Sequence, residues 1–208
     1  MTQTGPHPLK AVLFDFDGTL TIPGALDFPA IRVELGCPAG QPILEFIQSI
    51  QDPPGRRRLM ERLTAIETSA AGRSRPNVGA QELVRWLKTK RLAIGILTRN
   101  SRQSVLQALE NFDAIDTTDF DLIISRDDPI CPKPSGEGIV WAAQRLHLQP
   151  GQILVVGDFV FDCQAGRAAG APTVLLDPCM DPRLQTAGCD YRIARLNELK
   201  NIVKSSSR

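Results

Sequence analysis

No charge of either sign dominates this chain. Lys and Arg total 24 against 23 Asp and Glu over 208 residues, so no global field draws in nucleic acid or an anionic membrane surface, and any anion must be held locally. The five cysteines, Cys37, Cys131, Cys163, Cys179 and Cys189, are widely spaced, odd in number and without a CxxC pair. That argues against a disulfide framework or a zinc site and leads us to expect a reduced, cytoplasmic protein. The opening residues, MTQTGPHPLK, lack the apolar stretch of a signal peptide, and no uncharged apolar run approaches the ~18 residues of a membrane span. No internal repeat is present, and low complexity is confined to the short tail Ser205 to Ser207.

What is there is ordinary globular composition, 42% hydrophobic and 23% charged, which suits one domain or one domain with a modest insertion. From residue 80 onward, short apolar runs alternate with longer segments of helical periodicity, the signature of a parallel sheet with helices on both faces. The predicted strands are Leu9 to Phe14, Leu92 to Leu97, Leu122 to Ser125, Ile153 to Val156 and Thr173 to Leu176, with a weaker one at Tyr191 to Ala194. Between them, Leu83, Val84 and Leu87 form one helical stripe, Val105, Leu109 and Phe112 another, and Ile139, Ala143 and Leu146 a third. Gly170, followed by Pro172, should stop a helix beginning near Phe161.

Residues 21 to 79 break the alternation with three helical segments and no convincing strand. Phe28, Ile31 and Leu35 share one face, as do Ile43, Ile47 and Ile50, and as do Leu59, Leu63 and Ile66 after a Pro53-Pro54 start. Gly72 to Gly79 suits a return linker. The expected organisation is a Rossmann-like α/β core of residues 1–20 and 80–208 with a small inserted helical cap, residues 21–79.

Chemistry concentrates where predicted strands end. Asp15-Phe16-Asp17-Gly18-Thr19-Leu20 follows the first strand, so two carboxylates leave the carboxyl end of the sheet, where open α/β sheets bind ligands. Such a pair suits Mg²⁺, which takes one or two carboxylates together with substrate phosphate oxygens; a polar turn after a strand is the simpler alternative. Gly157-Asp158-Phe159-Val160-Phe161-Asp162 follows the fourth strand and brings two more acids, which could also serve as helix caps. Four acids on one rim repel unless a cation compensates them, so the two motifs together argue for metal more strongly than either alone. Thr98-Arg99-Asn100 follows the second strand and precedes a helix whose N–H groups could bind phosphate, although Asn100 or Ser101 could equally cap that helix. Lys133, between Pro132 and Pro134, is stiffly aimed, whereas an isolated lysine would ordinarily be solvated.

In this order and spacing, over roughly residues 9 to 180, the four pieces resemble the haloacid dehalogenase superfamily, in particular its phosphoglycolate-phosphatase-like branch with a helical cap. The resemblance implies a phosphatase in which Asp15 is nucleophile and metal ligand, and Asp17 is general acid/base, its backbone carbonyl also reaching the metal. It implies Thr98 binding the phosphoryl group with possible further contacts from Arg99 and Asn100, Lys133 neutralising charge, Asp158 binding Mg²⁺ directly and Asp162 supporting it through water. The substrate implied is a small phosphorylated metabolite, phosphoglycolate by default, and the enzyme a monomer or homodimer. Asp17 argues against a haloalkanoate dehalogenase, and Phe159 and Phe161 depart from the small or polar residues common at those places, which bears on substrate choice.

Other readings stay open on the sequence: a sugar phosphomutase, a non-catalytic binding module of the same fold, or a phosphatase of macromolecules. Arg56, Arg57 and Arg58, with Arg73 and Arg75, read as solvated surface. His7 lies in the N-terminal segment, His147 near a helix end, and Trp86 and Trp141 read as packing residues.

Overall fold

The computed structural model describes residues 8–184 and 188–206; His7 and the last residues of the serine tail lie outside them. Six parallel strands form one sheet: β1 (Ala11–Phe14), β2 (Ala93–Leu97), β3 (Leu122–Ile124), β4 (Ile153–Gly157), β5 (Thr173–Leu176) and β6 (Tyr191–Ile193), in the order β3-β2-β1-β4-β5-β6. Every predicted strand is present. The central ones read as continuous apolar runs because helices cover both faces of the sheet.

Alternation along the strands divides the core. Val12, Phe14, Ile94, Ile96, Leu154 and Val156 face one way and pack with α4 (Ala80–Thr89), α5 (Arg102–Leu109) and α8 (Leu199–Ser205). Ala11, Leu13, Ile153 and Val155 face the other way, against α6 (Glu137–Leu146) and α7 (Val160–Ala169). The predicted stop of α7 is its C-cap, Gly170, in the left-handed conformation at φ 75°. Chain direction reverses about β1: the path to β2 goes one way across the sheet and the path to β4 the other. A crevice therefore opens above the carboxyl ends of β1 and β4.

Between the first turn and α4 lie α1 (Phe28–Leu35), α2 (Ile43–Ser49) and α3 (Pro53–Ala71), started by Asp27 capping Ala30 N–H and Asp52 capping Gly55 N–H. They enclose a separate apolar cluster of Ile31, Leu35, Ile43, Leu44, Ile47 and Leu63. Phe28 does not join it: half its surface is exposed. The chain leaves for these helices and returns at one place, where Thr21 and Pro76 form an antiparallel bridge and Asn77 Nδ2 donates to the Thr19 carbonyl at 2.9 Å.

The expectation of unpaired cysteines is corrected at one pair. Cys163 of α7 is disulfide-bonded to Cys189, with Cα atoms 5.0 Å apart, while Cys37, Cys131 and Cys179 are free. The spacing was uninformative because β5 and its flanking loops, not sequence proximity, bring the two together. Among the described residues, no helix is long and apolar enough to cross a membrane.

Candidate active site

Asp15 is the first residue beyond β1, its N–H bonded to the Val156 carbonyl of β4 at 2.7 Å. Its carboxylate therefore stands over the crevice beside those of the motif after β4. Oxygen atoms of Asp15, Asp158 and Asp162 lie within 4.8 Å of one another, close enough to share one cation. Lys133 reaches this group from the loop before α6. Its ammonium, almost wholly buried, donates to Asp15 Oδ1 at 2.5 Å and to Asp162 Oδ1 at 2.6 Å. Burial alone would lower the lysine's pKa, but the two carboxylates outweigh it and hold the pKa above its ordinary value.

One ammonium does not balance three carboxylates. Burial, opposed by Lys133 and reinforced by Asp162, raises Asp15 to about 6. Asp158 is raised to about 8, by burial first and then by the charges of Asp15 and Asp162. Asp162 also accepts Phe159 N–H at 3.3 Å, which fixes it in the first turn of α7; the N-cap itself is Phe159, not Asp162 or Asp158. Such a cluster is the donor set a hard divalent cation takes.

Asp17 lies outside the triad. Its carboxylate accepts from Asn100 Nδ2, and burial, followed by the charge of Asp15, raises it to about 7, the range suited to a group that gives and takes a proton near neutrality. Thr98 is buried at the end of β2, where its hydroxyl accepts Asn100 N–H at 3.2 Å. The helix cap is Ser101, not Asn100. Arg99 turns elsewhere: its guanidinium binds both oxygens of Glu45 on α2, at 3.0 and 2.6 Å, donates to the Lys133 carbonyl, and lies 5.0 Å over the ring of Phe161.

The turn joining Asp15 to the rest of its motif requires glycine. Gly18 has φ 78°, and a β-carbon there would overlap the Asp158 carboxylate. Gly18→Ala is expected to destabilise the protein by about 1–3 kcal/mol from the backbone conformation alone, with a further loss from displacing Asp158. Denaturant unfolding checks it, and an unchanged midpoint would contradict the reading.

A cavity of about 620 Å³ rises from the acids to the inserted helices, with Asp15, Asp17, Thr98, Lys133, Asp158 and Asp162 at its floor and Phe28, Ile43, Leu44, Phe159 and Phe161 among its walls. The profile of the haloacid dehalogenase-like hydrolase family matches residues 9–170, a span that carries every one of these acids and the lysine. The chain belongs to that family. An uncharacterized hydrolase of Saccharomyces cerevisiae is 32% identical to it over 174 residues, 83% of this chain and 79% of the yeast protein. The phosphoglycolate phosphatase of Escherichia coli is 28% identical over 204 residues, 80% of each chain. A hydrolase of Pseudomonas syringae superimposes with a TM-score of 0.77 over 95% of this chain and 99% of that one, at 23% identity.

Three residues of this hydrolase's site region carried no signal in the sequence: Glu45, Glu67 and Arg126. Glu67 on α3 is buried, accepting from Arg126 Nη1 at 2.5 Å and from Ser101 N–H at 3.2 Å, and Arg126 also donates to Thr64 Oγ1 at 2.8 Å. Glu45 and Arg99 are 54 residues apart and Glu67 and Arg126 are 59 apart, and only the docking of the helices on the sheet brings each pair into contact.

Proposed function

We propose that this hydrolase is a Mg²⁺-dependent phosphatase that cleaves a small phosphomonoester through an aspartyl-phosphate on Asp15, with residues 21–79 acting as a cap over the site. The observation that carries the proposal is Asp15 held against the buried Lys133 ammonium, with Asp17 adjacent and protonatable near neutrality. A carboxylate attacks phosphorus only where the repulsion between two anions is offset. Asp15, Asp158 and Asp162, with the Asp17 backbone carbonyl, would hold Mg²⁺, which when bound neutralises phosphate charge and the developing charge of transfer.

An Asp15 oxygen attacks phosphorus, the bond from phosphorus to the leaving oxygen breaks, and the Asp17 proton passes to that oxygen. Asp17, now ionised, takes a proton from the water that attacks the phosphorus. The bond to Asp15 then breaks and inorganic phosphate leaves. Lys133 stays on Asp15 through both steps, Thr98 and Asn100 contact the phosphoryl oxygens, and Arg99, neutralised by Glu45, ties the cap to the site. The small-molecule reading is favoured over the macromolecular one because inserted helices cover the acids, and water as acceptor over a sugar hydroxyl because the chain matches phosphatase relatives.

The test is release of inorganic phosphate from an aryl phosphate with and without Mg²⁺. We expect release only with the metal; equal release in a chelator would overturn the assignment. Metal binding has its own signature. In the metal-free fold Asp158, Asp17 and Asp15 retain protons that the unfolded chain, with its ordinary value of 3.8, has lost. Folding stability therefore falls as pH rises from about 4 to about 8. Mg²⁺ binds the ionised acids, so it should raise Tm more at about pH 8 than at about pH 6. A shift independent of pH would contradict binding at this cluster.

A further inference from the structure

Resting on that reading of the site, we infer that the substrate's leaving group is an uncharged, hydrophobic alcohol, aryl or medium-chain alkyl, and not a small carboxylate of the glycolate type. The cavity above the acids is large enough for such a group, at about 620 Å³. Its walls present Ile22, Phe28 and Phe159 to solvent, with 39%, 50% and 52% of their surfaces exposed, beside Leu44 and Phe161. Apolar side chains left in water around one concavity gain by being covered, each by an amount proportional to the area removed from water. An alkyl chain or ring supplies that cover; a carboxylate would have to shed its hydration against it.

The cations of the wall offer a carboxylate little. Arg99 is matched by both oxygens of Glu45. Lys133 is held by Asp15 and Asp162. Arg32, the remaining cation on the wall, donates to the carbonyls of Pro38 and Gln41, which places its Nη1 on the loop after α1. A second anion on the substrate would have to draw Arg99 or Lys133 from its carboxylate partner while standing above four acids, and could meet only Arg32, whose Nη1 is engaged by neutral carbonyls, without displacing an acid. Phe159 and Phe161 meet edge to face with centroids 5.0 Å apart, and Arg99 packs on the second ring. That arrangement fixes an apolar surface directly beside Asp158 and Asp162.

The test compares kcat/KM of the Mg²⁺-loaded enzyme for n-hexyl phosphate, for the same ester ending in a carboxylate, for phosphoglycolate and for p-nitrophenyl phosphate. Hexyl phosphate should exceed both carboxylated esters by about 10-fold or more. Phe28→Ser and Phe159→Ser, changes at half-exposed positions that leave the apolar clusters intact, should each reduce the hexyl-to-phosphoglycolate ratio by roughly 10-fold. Equal or better turnover of the carboxylated esters, or an unmoved ratio in both variants, would overturn this inference while leaving the phosphatase standing. No metal-dependent release from any ester, p-nitrophenyl phosphate included, would overturn the phosphatase reading and this one with it.

Discussion

Asp15→Asn should release phosphate at least about 10⁴-fold more slowly than the unaltered enzyme, the scale on which removal of a nucleophile acts. The substitution is conservative in every respect but the chemistry. The amide oxygen still accepts from Lys133, which keeps Asp162 at 2.6 Å as its second partner. The lost charge was one that burial and Asp162 already disfavoured, as its rise to about 6 records. Removing it relieves crowding among Asp15, Asp158 and Asp162 and costs part of the Lys133 ion pair, so the two effects oppose and the net change in stability should be small. Steady-state phosphate release with matched thermal unfolding separates the outcomes. Activity within 10-fold of the unaltered enzyme, from a protein that melts normally, would remove Asp15 from the nucleophile's role.

Arg126→Ala should lower stability by about 3–5 kcal/mol, because it strands a buried carboxylate. Arg126 and Glu67 are each 5% exposed in their side chains, and once the guanidinium is gone Glu67 is left with the neutral donor Ser101, whose N–H it accepts at 3.2 Å. Burial already raises the Glu67 pKa against the opposing pull of Arg126, so in the variant that carboxyl will rise further. A group whose folded pKa lies above its unfolded value loses stability as pH rises through that interval. The deficit should therefore be larger at about pH 8 than at about pH 5. Replacing both partners with apolar residues of similar volume should recover much of the loss, since a well-packed pair has no charge to desolvate. Chemical denaturation at the two pH values measures both statements; a deficit below about 1 kcal/mol would mean that the pair is solvated in practice.

The fold was legible because buried parallel strands advertise themselves as apolar runs, and the acids because a strand end is a fixed address: Asp15 and Asp158 are each the first residue past a strand. Lys133 was legible only through its proline neighbours and its place in the motif order. What escaped depends on tertiary docking. Helical periodicity grouped Phe28 with Ile31 and Leu35, but the first turn of α1 projects past the cluster that buries the other two, so the ring lines the cavity. Arg99 sits in a phosphate-site position by sequence order, yet Glu45, 54 residues away, takes its guanidinium. Cys163 and Cys189 meet because of where β5 runs between them.

The bridge between Thr21 and Pro76, with Asn77 bound to the Thr19 carbonyl, has an evolutionary meaning. Exit and return share one doorway in the scaffold, so whatever hangs from it can be lengthened, shortened or exchanged at little entropic penalty to the closed loop. Asp15, Asp17, Asp158 and Asp162, the acids to which we assign the chemistry, lie on the scaffold side of that doorway, beside the ends of β1 and β4. Selection on the part of recognition that the insert supplies can therefore rewrite one part of the gene while selection on the scaffold preserves the other. A chimera that joins a relative's insert at positions 21 and 76 should take on the donor's preference in the part of the cavity that Ile22, Phe28 and Leu44 line, while Phe159 and Phe161 keep this chain's contribution.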